Sequence, residues 1–185
     1  IKGTTGSGKS TLSNIIVGLL DPTKGKLFVN DTLISPQNKS IWQKNIAIIP
    51  QNIFLNDVSI AENIAIGIEK DKIDLEKVKN VSRQAQISDF VENKPNQYNE
   101  KVGERGIRLS GGQKQRIGIA RALYRDAKII LFDEATNQLD VDTETLIMDS
   151  IYSLDKEITV ILIAHRLSTL ERCDKVIDLS KDFNS

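Results

Sequence analysis

The 185-residue sequence is poor in several things, and each shortage excludes something. Its single cysteine, Cys173, rules out an internal disulfide and fits a reducing compartment. There is no excess of charge: 25 basic residues balance 25 acidic ones, so bulk charge gives no argument for nucleic acid or for an acidic partner. Long apolar runs are missing too. Residues 15–20 and 160–164 are short stretches, far below the ~18–20 residues that cross a bilayer. No signal peptide, internal repeat or low-complexity tract is visible. The chain also opens on Ile1 rather than Met and runs straight into a glycine-rich loop. The expectation is an excised fragment whose preceding strand is cut off, and whose stability in isolation is therefore poor.

What is present suffices for a folded domain. Hydrophobic residues make up 39% of the chain, enough to bury a core, and the layout reads as one globular unit with two lobes. Residues 9–20 carry Leu12, Ile15, Ile16 and Leu19 at helical spacing, and the stretch DPTKG then predicts a turn. Residues 26–34 read as a strand or hairpin. IAII at 46–49 reads as a buried strand ended by Pro50. From Asn52 to about Arg105 the pattern turns helical, with a capping box at Ser59 and Glu62 and an amphipathic spacing at Leu75, Val78, Val81 and Ala85. Two further buried strands are expected at 128–132 and 159–164, with a helix over about 141–154 burying Ile147 and Ile151. Strands alternating with helices imply an α/β fold with a parallel sheet, into which a helical lobe is inserted after Gln51.

Chemistry concentrates in a few short stretches. GTTGSGKS, at 3–10, matches the phosphate loop G-x-x-x-x-G-K-[S/T] in full. Its glycines permit a tight loop whose backbone N–H groups surround phosphates at a helix start. Lys9 would sit against the β- and γ-phosphates, and the Ser10 hydroxyl would bind Mg²⁺. KIILFDEAT, at 128–136, ends a buried strand on Asp133, placed to reach Mg²⁺, and on Glu134, placed to orient or deprotonate an attacking water. Gln51 and His165 end two other strands and would bring an amide and an imidazole to the same region. The bland alternatives are a chance glycine turn, a strand merely terminated by Asp-Glu, and a lone histidine of no special role. RLSGGQKQRIGIARAL, at 108–123, adds a second capping box, Ser110 with Gln113, around the pair Gly111 and Gly112. Each glycine costs a helix roughly 0.8–1 kcal/mol relative to alanine. In such a place glycine lets another group approach the backbone, and a helix N-terminus favours an anion.

Taken together, GTTGSGKS, Gln51, LSGGQ, Asp133-Glu134, Asn137-Gln138-Leu139-Asp140 and His165 resemble the nucleotide-binding domain of ABC transporters, in order and spacing and over nearly the whole chain. The resemblance implies a P-loop NTPase (RecA-like) core at residues 1–51 and 126–185. It also implies an α-helical subdomain at 52–125 that carries the signature motif, and N-terminal strands truncated. Residues 3–10 correspond to Walker A, 129–133 to Walker B, 109–113 to the signature and 137–140 to the D-loop. The implied catalytic set is Glu134, His165, Gln51 and Lys9. ATP would be contacted by Gly3, Thr4, Thr5, Gly6, Ser7, Gly8, Lys9, Ser10, Thr11 and Gln51, and across a dimer by Ser110, Gly111, Gly112, Gln113 and Asp140. Mg²⁺ would be held by Ser10, Gln51 and Asp133.

In that family two such domains, identical or paralogous, pack head to tail, so the Ser110-Gly111-Gly112 helix start would bind the γ-phosphate of ATP held on the partner. Several features resemble exporters. They are the KVGERG segment at 101–106, which would meet the cytoplasmic loops of the membrane domain, Ala135 after Walker B, Arg166-Leu167-Ser168 after His165, and Phe54-Leu55 with SIAENI after Gln51. The implied function is ATP hydrolysis that powers an ABC exporter at the cytoplasmic face of the inner membrane, with a transmembrane domain in the same transporter and no nucleic acid. The rival readings are a soluble ABC ATPase of DNA repair or translation, and a degenerate module that binds ATP without hydrolysing it. Glu134 and His165 argue against the second. Two departures stand out: the D-loop reads Asn-Gln where the family usually has Ser-Ala, and the adenine-stacking aromatic would lie upstream of this fragment.

Overall fold

The computed structural model describes residues 1–133, 140–164 and 168–180, and shows a parallel sheet with packed layers on both faces. Helix α1 (Lys9–Ile16) follows the glycine loop. A small antiparallel hairpin, β1 (Phe28–Val29) and β2 (Thr32–Leu33), turns through Asn30 and Asp31 at φ 45° and 63°, the positive values a two-residue primed turn requires. Helix α2 (Lys39–Lys44), which the sequence pattern did not suggest, lies against α1 through the Trp42 indole N–H, which donates to the Ile16 carbonyl at 2.7 Å. Strand β3 (Ile46–Pro50) then enters the sheet. The inserted segment is helical as expected: α3 (Ile60–Ile64), α4 (Leu75–Gln84), α5 (Ser88–Glu92) and the long α6 (Gly111–Tyr124). Strand β4 (Ile129–Asp133), helix α7 (Val141–Tyr152) and strand β5 (Thr159–Ile163) complete the order.

The sheet runs β3-β4-β5, all parallel, with Pro50, Asp133 and Ile163 in register at its C-terminal edge. Beyond β5 the ladder continues. The Ile1 amino group donates to Leu162 O at 2.6 Å, and Ala164 N–H donates to Ile1 O at 3.3 Å. On the other side Lys2 exchanges backbone bonds with Ile177 and Leu179, each at 2.9 Å. The glycine loop therefore leaves the sheet at the same edge as Asp133.

Alternation along the strands divides the core between the two faces, as the period of two demands. Ile130 and Phe132 join Ile49, Ile117, Ile119, Ile147 and Ile151 in a cluster that continues without a break into the helical segment. Ile129 and Leu131 turn the other way, to Ile46, Ile163 and the α1 residues Leu12 and Ile16. Helices α1 and α6 thus lie on opposite faces of one sheet.

The first helix is shorter than its pattern. It stops at Ile16, leaving Leu19 and Leu20 60% and 46% exposed. Gly18, at φ 72°, donates to Ile15 O while Leu19 N–H reaches back to Asn14 O at 2.7 Å, which is a Schellman stop. Leu75 likewise opens α4 on the outside, 46% exposed, while Val78, Val81 and Ala85 are buried as expected.

Candidate functional site

The glycine loop is shaped by what its residues lack. Gly6 and Gly8 hold φ of 82° and 90°, the left-handed region where a side chain is strained. A Cβ on Gly3 would collide with the Ser7 hydroxyl. Helix α1 starts from Gly8 with no side-chain cap and no acidic residue in its first turn, so its leading N–H groups face the loop uncapped. Lys9, only 7% exposed, folds back so that Nζ donates to Gly3 O at 2.9 Å and Thr4 O at 3.0 Å. The Ser7 hydroxyl is buried with no hydrogen-bond partner. A ring of uncapped donors, a buried ammonium and an orphaned hydroxyl form a cradle that a phosphate chain fits, being anionic and rich in acceptors.

Asp133 and Gln51 stand at the same edge. Asp133 closes β4, half-buried and opposite Pro50 in the ladder, and Gln51 is the next residue after Pro50. Ser10 is exposed in the first turn of α1, which packs on β4. Hydroxyl, carboxylate and amide oxygens are hard ligands of the kind Mg²⁺ takes when substrate phosphates supply the rest of its shell. No cluster of three or more His, Cys, Asp and Glu side chains that could hold a metal by itself is found among the described residues. Glu134 follows β4 directly in sequence and His165 comes two residues after β5; they lie outside the described residues, as do Ala135, Asn137, Gln138, Leu139, Arg166 and Leu167.

The second glycine motif is also explained in part by packing. The capping box forms: Ser110 N–H donates to Gln113 Oε1 at 2.9 Å, and Gln113 N–H donates to Ser110 Oγ at 3.3 Å. Ser110 and Gly111 are exposed, but Gly112 is buried, and a Cβ there would run into the Thr143 methyl of α7. One glycine of the pair thus serves the contact between α6 and α7, a role the sequence pattern did not reveal. Asp140 is engaged as well, its Oδ1 accepting from Thr143 N–H at 2.9 Å as the N-cap of α7. That bond holds its carboxyl below the ordinary carboxylate value. An Asp directly before a helical run is the signal for such a cap.

Sequence reasoning missed the residues that hold the Gln51 segment. Gln115 Nε2 donates to Gln51 O at 2.7 Å and Pro50 O at 3.2 Å, and the Arg121 guanidinium reaches Asn63 O at 2.9 Å and Phe54 O at 3.2 Å. They stand six residues apart on α6, about 120° around its axis, so no same-face spacing marks the pair in the sequence. Next to them the loop before the signature folds tightly, with Gly103, Arg105 and Gly106 all at positive φ. Gly106 leaves room for Leu55, and the flanking Phe54 and Ile107 are 63% and 80% exposed.

A parallel sheet with a glycine loop, an uncapped helix start and a strand-end aspartate at one edge defines a phosphate-loop nucleotide-binding domain. A family model described as ABC transporter matches residues 1–137. The heterocyst differentiation ATP-binding protein HepA of Nostoc sp. is 42% identical over 175 residues, which are 95% of this chain and 28% of that protein. An ATP-dependent lipid A-core flippase of Idiomarina loihiensis is 40% identical over 175 residues, 95% of this chain and 30% of the flippase. The β-(1→2)glucan export ATP-binding/permease protein NdvA of Rhizobium meliloti is 42% identical over 177 residues, 96% of this chain and 30% of NdvA. Among solved structures, a bacterial Atm1-family ABC exporter with ATP bound superposes with a TM-score of 0.84 at 37% identity, over 97% of this chain and 31% of the exporter. The chain belongs to the ABC transporter family, as an ATP-binding domain of the exporter type. It spans about 30% of the length of the curated relatives it matches. No helix among the described residues is long and apolar enough to cross a membrane.

Proposed function

We propose that this domain hydrolyses ATP at an interface with a second such domain and thereby powers export through a transmembrane domain of the same transporter, at the cytoplasmic face of the inner membrane. The observation that carries the two-domain reading is the placement of α1 and α6 on opposite faces of the sheet. The phosphate loop opens onto α1, while the Ser110-Gly111 start belongs to a helix seated on the other face by Gly112 and Gln115. A phosphate reaching that start comes from a partner, identical or paralogous, packed head to tail. Residues 1–51 and 126–185 then act as the nucleotide core and 52–125 as the helical arm. The exposed Phe54 and Ile107 beside the 101–106 loop offer an apolar seat for cytoplasmic loops of the membrane domain.

Within the site, residues 3–11 wrap the triphosphate, and Lys9 exchanges its two loop carbonyls for phosphate oxygens. Ser10, Asp133 and Gln51 would hold Mg²⁺, which neutralises charge on the phosphates. Glu134 accepts the proton of the attacking water, and His165, one residue beyond the described end of the β5 segment, stabilises the γ-phosphate. From the partner, Ser110, Gly111, Gly112, Gln113 and Asp140 close the site. The exporter and flippase relatives favour this over a soluble ABC ATPase of DNA repair or translation.

The test is Glu134→Gln in the intact polypeptide that carries this domain. Binding of a fluorescent ATP analogue is expected to persist, phosphate release to fall at least ~10²-fold, and an ATP-bound closed dimer to accumulate. Turnover at the wild-type rate would remove Glu134 from the role of base.

A further inference from the structure

The segment after β3 has no regular structure of its own between Gln51 and Ser59, yet its backbone carbonyls are held from a distance. Asn63 of α3 holds the far end, its Oδ1 accepting from Asn56 N–H and its Nδ2 donating to Asn56 O, each at 3.0 Å, while the holders of the near end sit on α6, about one turn apart. Gln115, 3% exposed, donates from Nε2 to both Pro50 O and Gln51 O. At Gly118 an added Cβ would stand 2.7 Å from Ile53 Cδ1, so the absent side chain is what lets Ile53 lie against the helix. Arg121 donates from Nε to Asn63 O and from both Nη atoms to Phe54 O.

This latch is costly in a way that apolar packing would not be. Gln115 Oε1 is buried with no hydrogen-bond partner, and burial pushes the Arg121 guanidinium below its ordinary value. A buried unsatisfied oxygen is something a methionine of the same length would avoid. The cost is matched by control: both amide protons of Gln115 go to carbonyls, so the amide orientation is fixed and the Gln51 backbone follows α6. The same helix begins at Ser110 and Gly111, less than two turns before Gln115.

We infer that Gln115, supported by Arg121, is a positioning residue that couples engagement of the signature start by the partner's nucleotide to the placement of Gln51 at this chain's own nucleotide. A helix is stiff over two turns, so a phosphate that draws in the N-terminus of α6 carries Gln115, and with it the Gln51 carbonyl. This rests on the proposed roles of Gln51 and of the signature motif.

The experiment is a double-mutant cycle in the intact polypeptide, read by ATP turnover, by binding of a fluorescent ATP analogue, and by hydrogen exchange of the amides at 51–58 with and without ATP. Gln115→Met is expected to lower kcat about tenfold, within the usual range of coupling between sites, and to leave ATP affinity within about twofold. It should also abolish the ATP-dependent protection of 51–58. On a Gln51→Ala background the same substitution should have no further effect on kcat. Arg121→Lys, which keeps one donor, should show the same pattern at smaller size and serves where Gln115→Met fails to fold. An equal fold-loss on both backgrounds, with ATP-dependent protection intact, overturns the coupling and leaves Gln115 a structural residue. If Gln51→Ala alone leaves kcat unchanged, the assigned role of Gln51 fails, and the latch falls with it.

Discussion

Among the described residues, two α-helices begin beside glycines, α1 and α6, and they are finished in opposite ways. α1 starts from Gly8 in the left-handed region without any side-chain cap. α6 starts from Ser110 in an extended conformation with both halves of its capping box made. Side-chain caps recur in this chain: Ser59 caps α3 with a full capping box, and Asp74 and Asp140 cap α4 and α7 by accepting one backbone N–H each. An uncapped start backed by a buried lysine is an incomplete structure that an anion completes. A capped start stands by itself and has only its outermost groups, Ser110 and Gly111, to offer a visitor. The contrast fits a loop that binds nucleotide on its own and a signature that joins only when a second domain brings the phosphate.

Breaking the α1 side should have the largest effect. Lys9→Ala removes the one ammonium of the cradle, and turnover is expected to fall ~10²–10³-fold, as for loss of a group that stabilises transition-state charge. Phosphate release and equilibrium ATP binding would both register it. Breaking the α6 side should separate those two readouts. Gly111→Leu, at an exposed position, is expected to spare nucleotide binding by the monomer while dimer formation and turnover fall at least ~10-fold. A collapse of the monomer's own affinity would place the signature in its own chain's site and erase the contrast.

The glycine pair itself can be split. Gly112→Ala puts a methyl against Thr143, and the overpacking should destabilise the fold by about 1–3 kcal/mol in urea unfolding. Pairing it with Thr143→Ser, which removes the offending methyl, should restore most of that loss. No recovery would mean that Gly112 is there for the ligand alone. Smaller again, Ser110→Ala removes a cap and should cost about 1 kcal/mol without moving ATP affinity of the monomer.

What the sequence disclosed and what it hid follow from the range of the forces concerned. The phosphate loop, both capping boxes and the strands at 46–50 and 129–133 were legible because loop geometry, capping and alternation are local. Leu19 keeps the helical spacing but lies outside the helix, because a Schellman stop at Gly18 ends α1 before it. The packing role of Gly112 and the hold of Gln115 are hidden for a different reason: their partners, Thr143 and the Pro50–Gln51 carbonyls, are distant in sequence and meet them only in the fold. Asp140 carries two signals at once, its place in the D-loop motif and its position before a helical run, and the second marks the N-cap of α7.

Asp140 gives the last and smallest comparison, between a cap that titrates and one that does not. Its carboxyl lies below the ordinary value chiefly because it accepts the Thr143 N–H. A carboxylate depressed by folding adds stability that is present above its unfolded value, near 3.9, and is lost as the pH falls through the folded value. Ser110, a hydroxyl cap, has no such dependence. Asp140→Asn keeps an effective cap at every pH, so at pH 7 the variant and the wild type should unfold at nearly the same urea concentration. As the pH drops below about 4, the wild type should lose stability more steeply than the variant, because only its cap becomes protonated. Parallel pH profiles for the two proteins would mean that the N–H of Thr143 does not stabilise the charged form, and that α7, like α1, starts without a working cap.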